Sequence, residues 1–142
     1  MPDYRHIDIE QLETLLIERQ TELGIEDLEP GDITSRVADG SAVVEVTEHG
    51  VAVIQLERAS GGAIPFLWML YVDPEKRGRG VGAGFVRELL SKYSEDYHMS
   101  LKCYGSRRRA FFAKAGFRVE SRDGEERRMT TNDLESVLRM SR

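Results

Sequence analysis

Val72-Asp73-Pro74-Glu75-Lys76-Arg77-Gly78-Arg79-Gly80-Val81-Gly82-Ala83-Gly84 is the stretch on which the fold turns. It continues Pro65–Val72 (Pro-Phe-Leu-Trp-Met-Leu-Tyr-Val), an apolar run expected to form a central strand covered on both faces. It leads into a helix, because Val81, Phe85, Leu89 and Val86, Leu90, Tyr93 trace two adjacent helical rows. Glycines let the backbone approach a ligand closely and gather N–H groups into one concavity. The helix that follows adds its positive N-terminal end, so the turn suits phosphate oxygens. Arg77 and Arg79 sit in the same turn.

Three kinds of phosphate loop compete for this stretch. A Walker loop needs Gly-Lys-Ser/Thr, which the chain lacks. A dinucleotide fingerprint is matched on paper by Gly78-Arg79-Gly80-Val81-Gly82-Ala83. It should follow its strand directly and precede an acidic residue at the end of the next strand. Here Asp73–Arg77 intervene, and Met99–Tyr104 carries no Asp or Glu. The third pattern is Arg/Gln-x-x-Gly-x-Gly/Ala after a Val-x-Pro strand end. Arg77-Gly78-Arg79-Gly80-Val81-Gly82 and Val72-Asp73-Pro74 fit it in full. In these residues the chain resembles the GNAT superfamily of N-acetyltransferases. Ala110-Phe111-Phe112-Ala113-Lys114-Ala115-Gly116-Phe117 is similar, with one spacing difference, to that family's aromatic-Gly-Phe helix. The resemblance is specific over residues 65–120 and topological before them.

Outward from the turn, Ala42–Thr47 and Val51–Glu57 are rich in β-branched residues and flank Glu48-His49-Gly50, a hairpin pattern. Ala59–Ala63 reads as a loop. Towards the N-terminus, Tyr4–Ile7 reads as a short strand. Asp8 with Gln11 makes a capping box for a helix carrying Ile9, Leu12, Leu15, Leu16 and Leu23, stopped by Gly24. Asp32 is expected to cap a short helix ending near Gly40. Towards the C-terminus, Met99–Tyr104 is a strand with Met99, Leu101 and Cys103 on one face. Ser106 is expected to cap a helix over Arg107–Ala115. Phe117–Ser121 and Arg127–Thr131 flank Asp123-Gly124, a second hairpin, and Asn132 with Glu135 opens a last helix.

The 142 residues suit one domain, 1–142, large enough to bury a core without staples. One cysteine excludes a disulfide framework or a multi-thiolate zinc site, and no metal is expected. No apolar run approaches a membrane span, and the N-terminus lacks a signal-peptide pattern; with the lone thiol, this points to the cytoplasm. The net charge of −5 hides an asymmetry. Residues 1–65 carry 14 acidic and 4 basic side chains, residues 66–142 carry 11 and 16, and 16 of all 20 basic residues are Arg. Two solvated faces explain this as well as an anionic ligand on the basic half and a cationic one on the acidic half. Nucleic acid is disfavoured, since the net charge repels a polyanion and no basic stripe with interleaved aromatics occurs.

The resemblance implies an α/β fold: the GNAT acyltransferase fold, a central mixed, mostly antiparallel sheet flanked by helices. It implies acetyl-CoA as cosubstrate, with Leu70, Tyr71 and Val72 running beside the pantetheine. The N–H groups of Arg77, Gly78, Arg79, Gly80, Val81 and Gly82 would take the pyrophosphate. Arg79 or the Arg107–Arg109 run would reach the 3′-phosphate. The Leu70 N–H would be the oxyanion donor. The amine acceptor is a small molecule, peptide or protein, and a homodimer is compatible with the fold. Many members place an acidic Tyr where this chain has Phe112, and others a carboxylate where it has Phe66. Substitutes are Tyr104 as acid and Glu57, with Glu45, as base acting through water. His49, Cys103 and Trp68 suit turn and core roles better. Two readings follow: transfer of acetyl to a primary amine by direct attack in a ternary complex, and a non-catalytic acyl-CoA-binding module.

Overall fold

The β-branched Val43, Val44, Val46, Val51, Val53 and Ile54 favour extended backbone, and in the computed structural model Ala42–Val46 and Gly50–Ala59 form an antiparallel hairpin, β1 and β2. The structure describes residues 3–25, 27–59, 62–93, 99–123 and 126–130. The further strands are β3 (Gly62–Val72), β4 (Ser100–Tyr104), β5 (Arg118–Asp123) and β6 (Glu126–Thr130). The helices are α1 (Ile9–Glu18), α2 (Gln20–Leu23), α3 (Asp32–Ala38), α4 (Val81–Tyr93) and α5 (Ser106–Lys114). Hydrogen bonding links the strands in the order β1-β2-β3-β4-β6-β5. β3 and β4 are parallel, whereas β1–β2, β4–β6 and β5–β6 are antiparallel, giving the mixed, mostly antiparallel α/β fold expected.

Contacts divide the chain into two compact units, one from residues 1–56 and 68–82, the other from 57–67 and 83 onward. In the first unit, Leu12 and Leu16 of α1, Ile33 of α3, Val51 and Val53 of β2, and Met69 and Tyr71 of β3 share one core. Val51, Ala52, Val53 and Ile54 are all fully buried, so β2 is covered on both faces. The expectation of two-sided burial for 65–72 needs correcting: Leu67, Met69 and Tyr71 are buried, while Phe66, Trp68 and Leu70 between them are half-exposed. Trp68 packs against the core with the Arg36 guanidinium 5.2 Å from its ring centroid.

Other local expectations also change. Tyr4–His6 is one 3-10 turn, not a strand, because Asp3 accepts the Arg5 N–H and caps it. The first helix does start at Asp8, whose carboxylate accepts the Gln11 N–H at 2.8 Å, and Gly24 does end the segment in the left-handed region. It is interrupted at Arg19, so α1 and α2 replace one helix. Asp32 does not cap α3. Its carboxylate takes the Glu29 N–H, and Glu13 of α1 takes the N–H groups of Gly31, Ile33 and Thr34, each at 2.8 Å. β2 extends to Ala59 and β3 begins at Gly62, leaving little of the Ala59–Ala63 loop; residues 60 and 61 lie outside the described set.

In the second unit, Phe85, Val86 and Leu89 of α4 are buried, as are Met99, Leu101 and Cys103, the face expected for β4. Gly105 rather than Ser106 stands at the N-cap of α5, and no side chain caps it. β5 and β6 pair as expected, with a register shift between Val119 and Ser121. Their turn at 124–125 and the helix expected after Asn132 lie outside the described residues.

Candidate acyl-CoA turn and reacting strand

β3 delivers the chain into the glycine-rich turn at Asp73, and a dense set of polar contacts fixes that point. The Asp73 N–H donates to the His49 carbonyl at 2.8 Å. Its buried carboxylate accepts the Glu75 N–H at 3.0 Å and the Tyr4 hydroxyl at 3.0 Å. The Glu75 N–H holds the Asp73 carboxyl below its ordinary value, against the effect of burial, with the Tyr4 hydroxyl helping. Burial pushes the Tyr4 phenol up, and its bond to Asp73 adds to that. Pro74–Lys76 is a 3-10 turn, after which Gly78 and Gly80 both adopt φ of 79° and α4 begins at Val81.

Those two glycines are needed for their backbone, since L side chains rarely adopt that φ. A Cβ on either would meet nothing within 4 Å, so the space beside both glycines is open. The first-turn N–H groups of α4 have no acceptor within their own helix. An open glycine backbone beside such a helix end fits the phosphates of an acyl-CoA.

The arginines of the turn differ. Arg79 is exposed. Arg77 is committed to the fold: its Nε donates to the Val72 carbonyl at 2.9 Å, it pairs with Glu22 of α2, and its guanidinium lies 5.5 Å from the Tyr71 ring centroid. The Arg77 N–H closes the 3-10 turn onto Pro74, at 3.4 Å. Sequence spacing cannot reveal the Glu22 partner, which comes from an element distant in the chain.

Alternation along β3 orients Leu70. A Cβ on Gly50 of β2 would strike the Tyr71 carbonyl oxygen, so that carbonyl faces β2. The Asp73 N–H also faces that way. The N–H and C=O of Leu70 and Val72 therefore point to the opposite edge of β3. The described ladder between β3 and β4 consists of Phe66↔Ser100 and Leu67↔Leu101. Leu70 lies beyond it along β3. The Tyr71 side chain is in the core, 5.9 Å edge-on from Tyr4.

Phe112, Glu57 and Tyr104 belong to the second unit, and Glu45 of β1 to the first. Phe112 of α5 is half-buried, edge-on to Phe111 at 5.1 Å and to Phe117 at 5.6 Å. Glu57 lies in β2 and Tyr104 at the end of β4 opposite Glu126; their side chains are outside those described. In the first unit, His49 occupies the hairpin turn, its N–H on Thr47 Oγ1 at 3.1 Å. Cys103 is buried with Sγ 3.5 Å from Met129 Sδ, and burial pushes its thiol up despite nearby Arg109, Arg108 and Arg127. No helix among the described residues is long and apolar enough to cross a membrane.

Solved structures similar to the chain include Arabidopsis thaliana Naa50 in complex with the bisubstrate analogue CoA-Ac-MVNAL: 14% identity, 90% of this chain and 95% of that one covered, TM-score 0.62. PaiA N-acetyltransferase from Thermoplasma acidophilum, in complex with coenzyme A, is 19% identical over 92% of this chain and 82% of that one, TM-score 0.58. An acetyltransferase from Thermus thermophilus is 16% identical over 84% of this chain and 86% of that one, TM-score 0.60. No curated protein matches the chain. Residues 38–119, more than half of the chain and including the whole glycine-rich turn, match the family described as acetyltransferase (GNAT) domain, and the protein belongs to that family.

Proposed function

We propose that the chain works as one GNAT domain, an N-acetyltransferase that moves acetyl from acetyl-CoA to a primary amine in a ternary complex. The observation that carries this reading is the pair of left-handed glycines, Gly78 and Gly80, open on one side at the N-terminal end of α4. The backbone from Gly78 to Gly82 takes the pyrophosphate, with Arg77 shaping the turn and Arg79 free to reach a phosphate. Leu70, Tyr71 and Val72 run beside the pantetheine, and Phe112 contributes an apolar contact to it.

The reaction needs a donor for the carbonyl oxygen and a route for one proton each way. The amine nitrogen attacks the thioester carbon, and the Leu70 N–H, on the edge of β3 away from β2, stabilises the oxyanion. The carbon–sulfur bond then breaks. Glu57, through water, accepts the amine proton, and Tyr104 returns one to the thiolate. The bisubstrate analogue held by Naa50 joins CoA to a peptide, the arrangement that direct attack requires. The reading carries with it a cytoplasmic setting and no metal.

Phe112 favours a second reading. Its ring meets those of Phe111 and Phe117 edge-on and offers no hydroxyl, as suits a module that binds acyl-CoA without turnover. A panel of primary amines decides between them. Release of CoA thiol with an acetylated amine identified by mass spectrometry is expected. Tight acetyl-CoA binding with no thiol release for any amine would favour the module.

A further inference from the structure

We infer that Tyr4 and Glu22, two residues outside the glycine-rich motif, are positioning residues that hold the acyl-CoA turn ready for its ligand. The inference rests on the acetyl-CoA reading of that turn. Its basis is that the start of the turn is tethered at two points by side chains from the N-terminal segment. At the entry, the Tyr4 hydroxyl donates to Asp73 across 69 residues of chain, in a buried environment. The other oxygen of Asp73 caps the 3-10 turn through the Glu75 N–H, so one carboxylate joins the N-terminal segment to the backbone entering the site. Four residues on, Glu22 pairs with Arg77, the residue directly before Gly78. Arg77 in turn holds the Val72 carbonyl at the end of β3. Tyr71 packs edge-on against the Tyr4 ring and lies under the Arg77 guanidinium.

Glycine-rich backbone gains affinity by being ordered before the ligand arrives, because ordering it on binding costs conformational entropy. Gly78 and Gly80 supply the curvature but resist no alternative, so the restraint has to come from their neighbours. Asp73 and Arg77 bracket the start of the turn, and neither is held by local sequence alone. The tethers therefore set how much of the ordering is complete before acetyl-CoA binds.

Calorimetric titration of acetyl-CoA into the full chain and its variants tests this. Tyr4→Phe removes only the hydroxyl, and Glu22→Gln only the charge. Each is expected to raise the acetyl-CoA Kd about 3- to 10-fold, a fraction of what a hydrogen bond to a charged group can supply. Ile33→Val trims the same core. It is expected to lower the Tm at least as much as Tyr4→Phe while leaving the Kd unchanged. Wild-type affinity in both tether variants, or an equal loss in Ile33→Val, would overturn the inference while leaving the acetyl-CoA reading in place. No binding by the unaltered protein would remove that reading and the inference together.

Discussion

Oε2 of Glu13 accepts the backbone N–H of Ile33 at 2.8 Å, so a buried carboxylate on α1 caps α3 from 20 residues away. The same carboxylate takes Gly31 and Thr34, satisfying donors that the start of a helix leaves over. Glu13→Gln keeps the shape but turns an amide N–H₂ toward backbone donors. We expect a loss of about 1.5–3 kcal/mol, the range for hydrogen bonds to a charged group, measured by urea unfolding.

The same group gives the stability a pH dependence. Burial pushes the Glu13 carboxyl up, but the N–H groups of Gly31, Thr34 and Ile33 outweigh it and leave it below its ordinary value of 4.5. The unfolded state therefore binds the proton first as pH falls. The contribution is complete above 4.5 and is lost as pH drops through the lowered value. Unfolding curves of wild type and Glu13→Gln should converge below that point and separate above it.

Gly50→Ala tests the close approach of β2 to β3. A Cβ there overlaps the Tyr71 carbonyl oxygen and comes within 3.3 Å of the Val72 Cα, both backbone atoms that no rotamer change can move. Overpacking of this kind costs roughly 1–3 kcal/mol. Thermal unfolding should show it, and acetyl-CoA affinity should fall too, because Tyr71 and Val72 would carry the displacement into the strand proposed to run beside the pantetheine.

Gly80→Glu should abolish acetyl-CoA binding. The φ of 79° penalises any Cβ by about 1–2 kcal/mol, and the carboxylate enters the open side of the turn opposite incoming phosphates. Gly80→Ala separates the two effects, since it keeps the backbone penalty without the charge. Calorimetry that found undiminished affinity in Gly80→Glu would exclude this turn as the phosphate site.

Tyr104→Phe should slow turnover on the order of 10²-fold with acetyl-CoA affinity nearly unchanged, if Tyr104 is the acid. Phe112→Tyr restores the hydroxyl at the family's customary position, beside Phe111 and Phe117, and should recover part of the rate in the Tyr104→Phe background. An unaltered rate in Tyr104→Phe would move that proton to water.

What could be read from the sequence was local. Alternation and turn residues located the β1–β2 hairpin, the glycine turn, α4 and the buried face of β4, because each is written within a few consecutive residues. Tyr4–Ile7 misled because four residues carry too little periodicity to separate a strand from a capped 3-10 turn. Asp32 misled for another reason. Its side chain suits the cap expected of it, but Glu13, brought in by tertiary packing, takes the free N–H groups at the start of α3. Motif spacing records the backbone of a site better than its polar partners.

The sole cysteine has a practical consequence. Cys103 is enclosed beside Met129, and its thiol is pushed up by burial, so it holds little of the thiolate that attacks disulfide reagents. A colorimetric disulfide probe added to the folded protein should stay nearly colourless until CoA is liberated. Continuous optical screening of amines then needs no cysteine-free variant, and a slow rise in absorbance without acetyl-CoA reports exposure of Cys103.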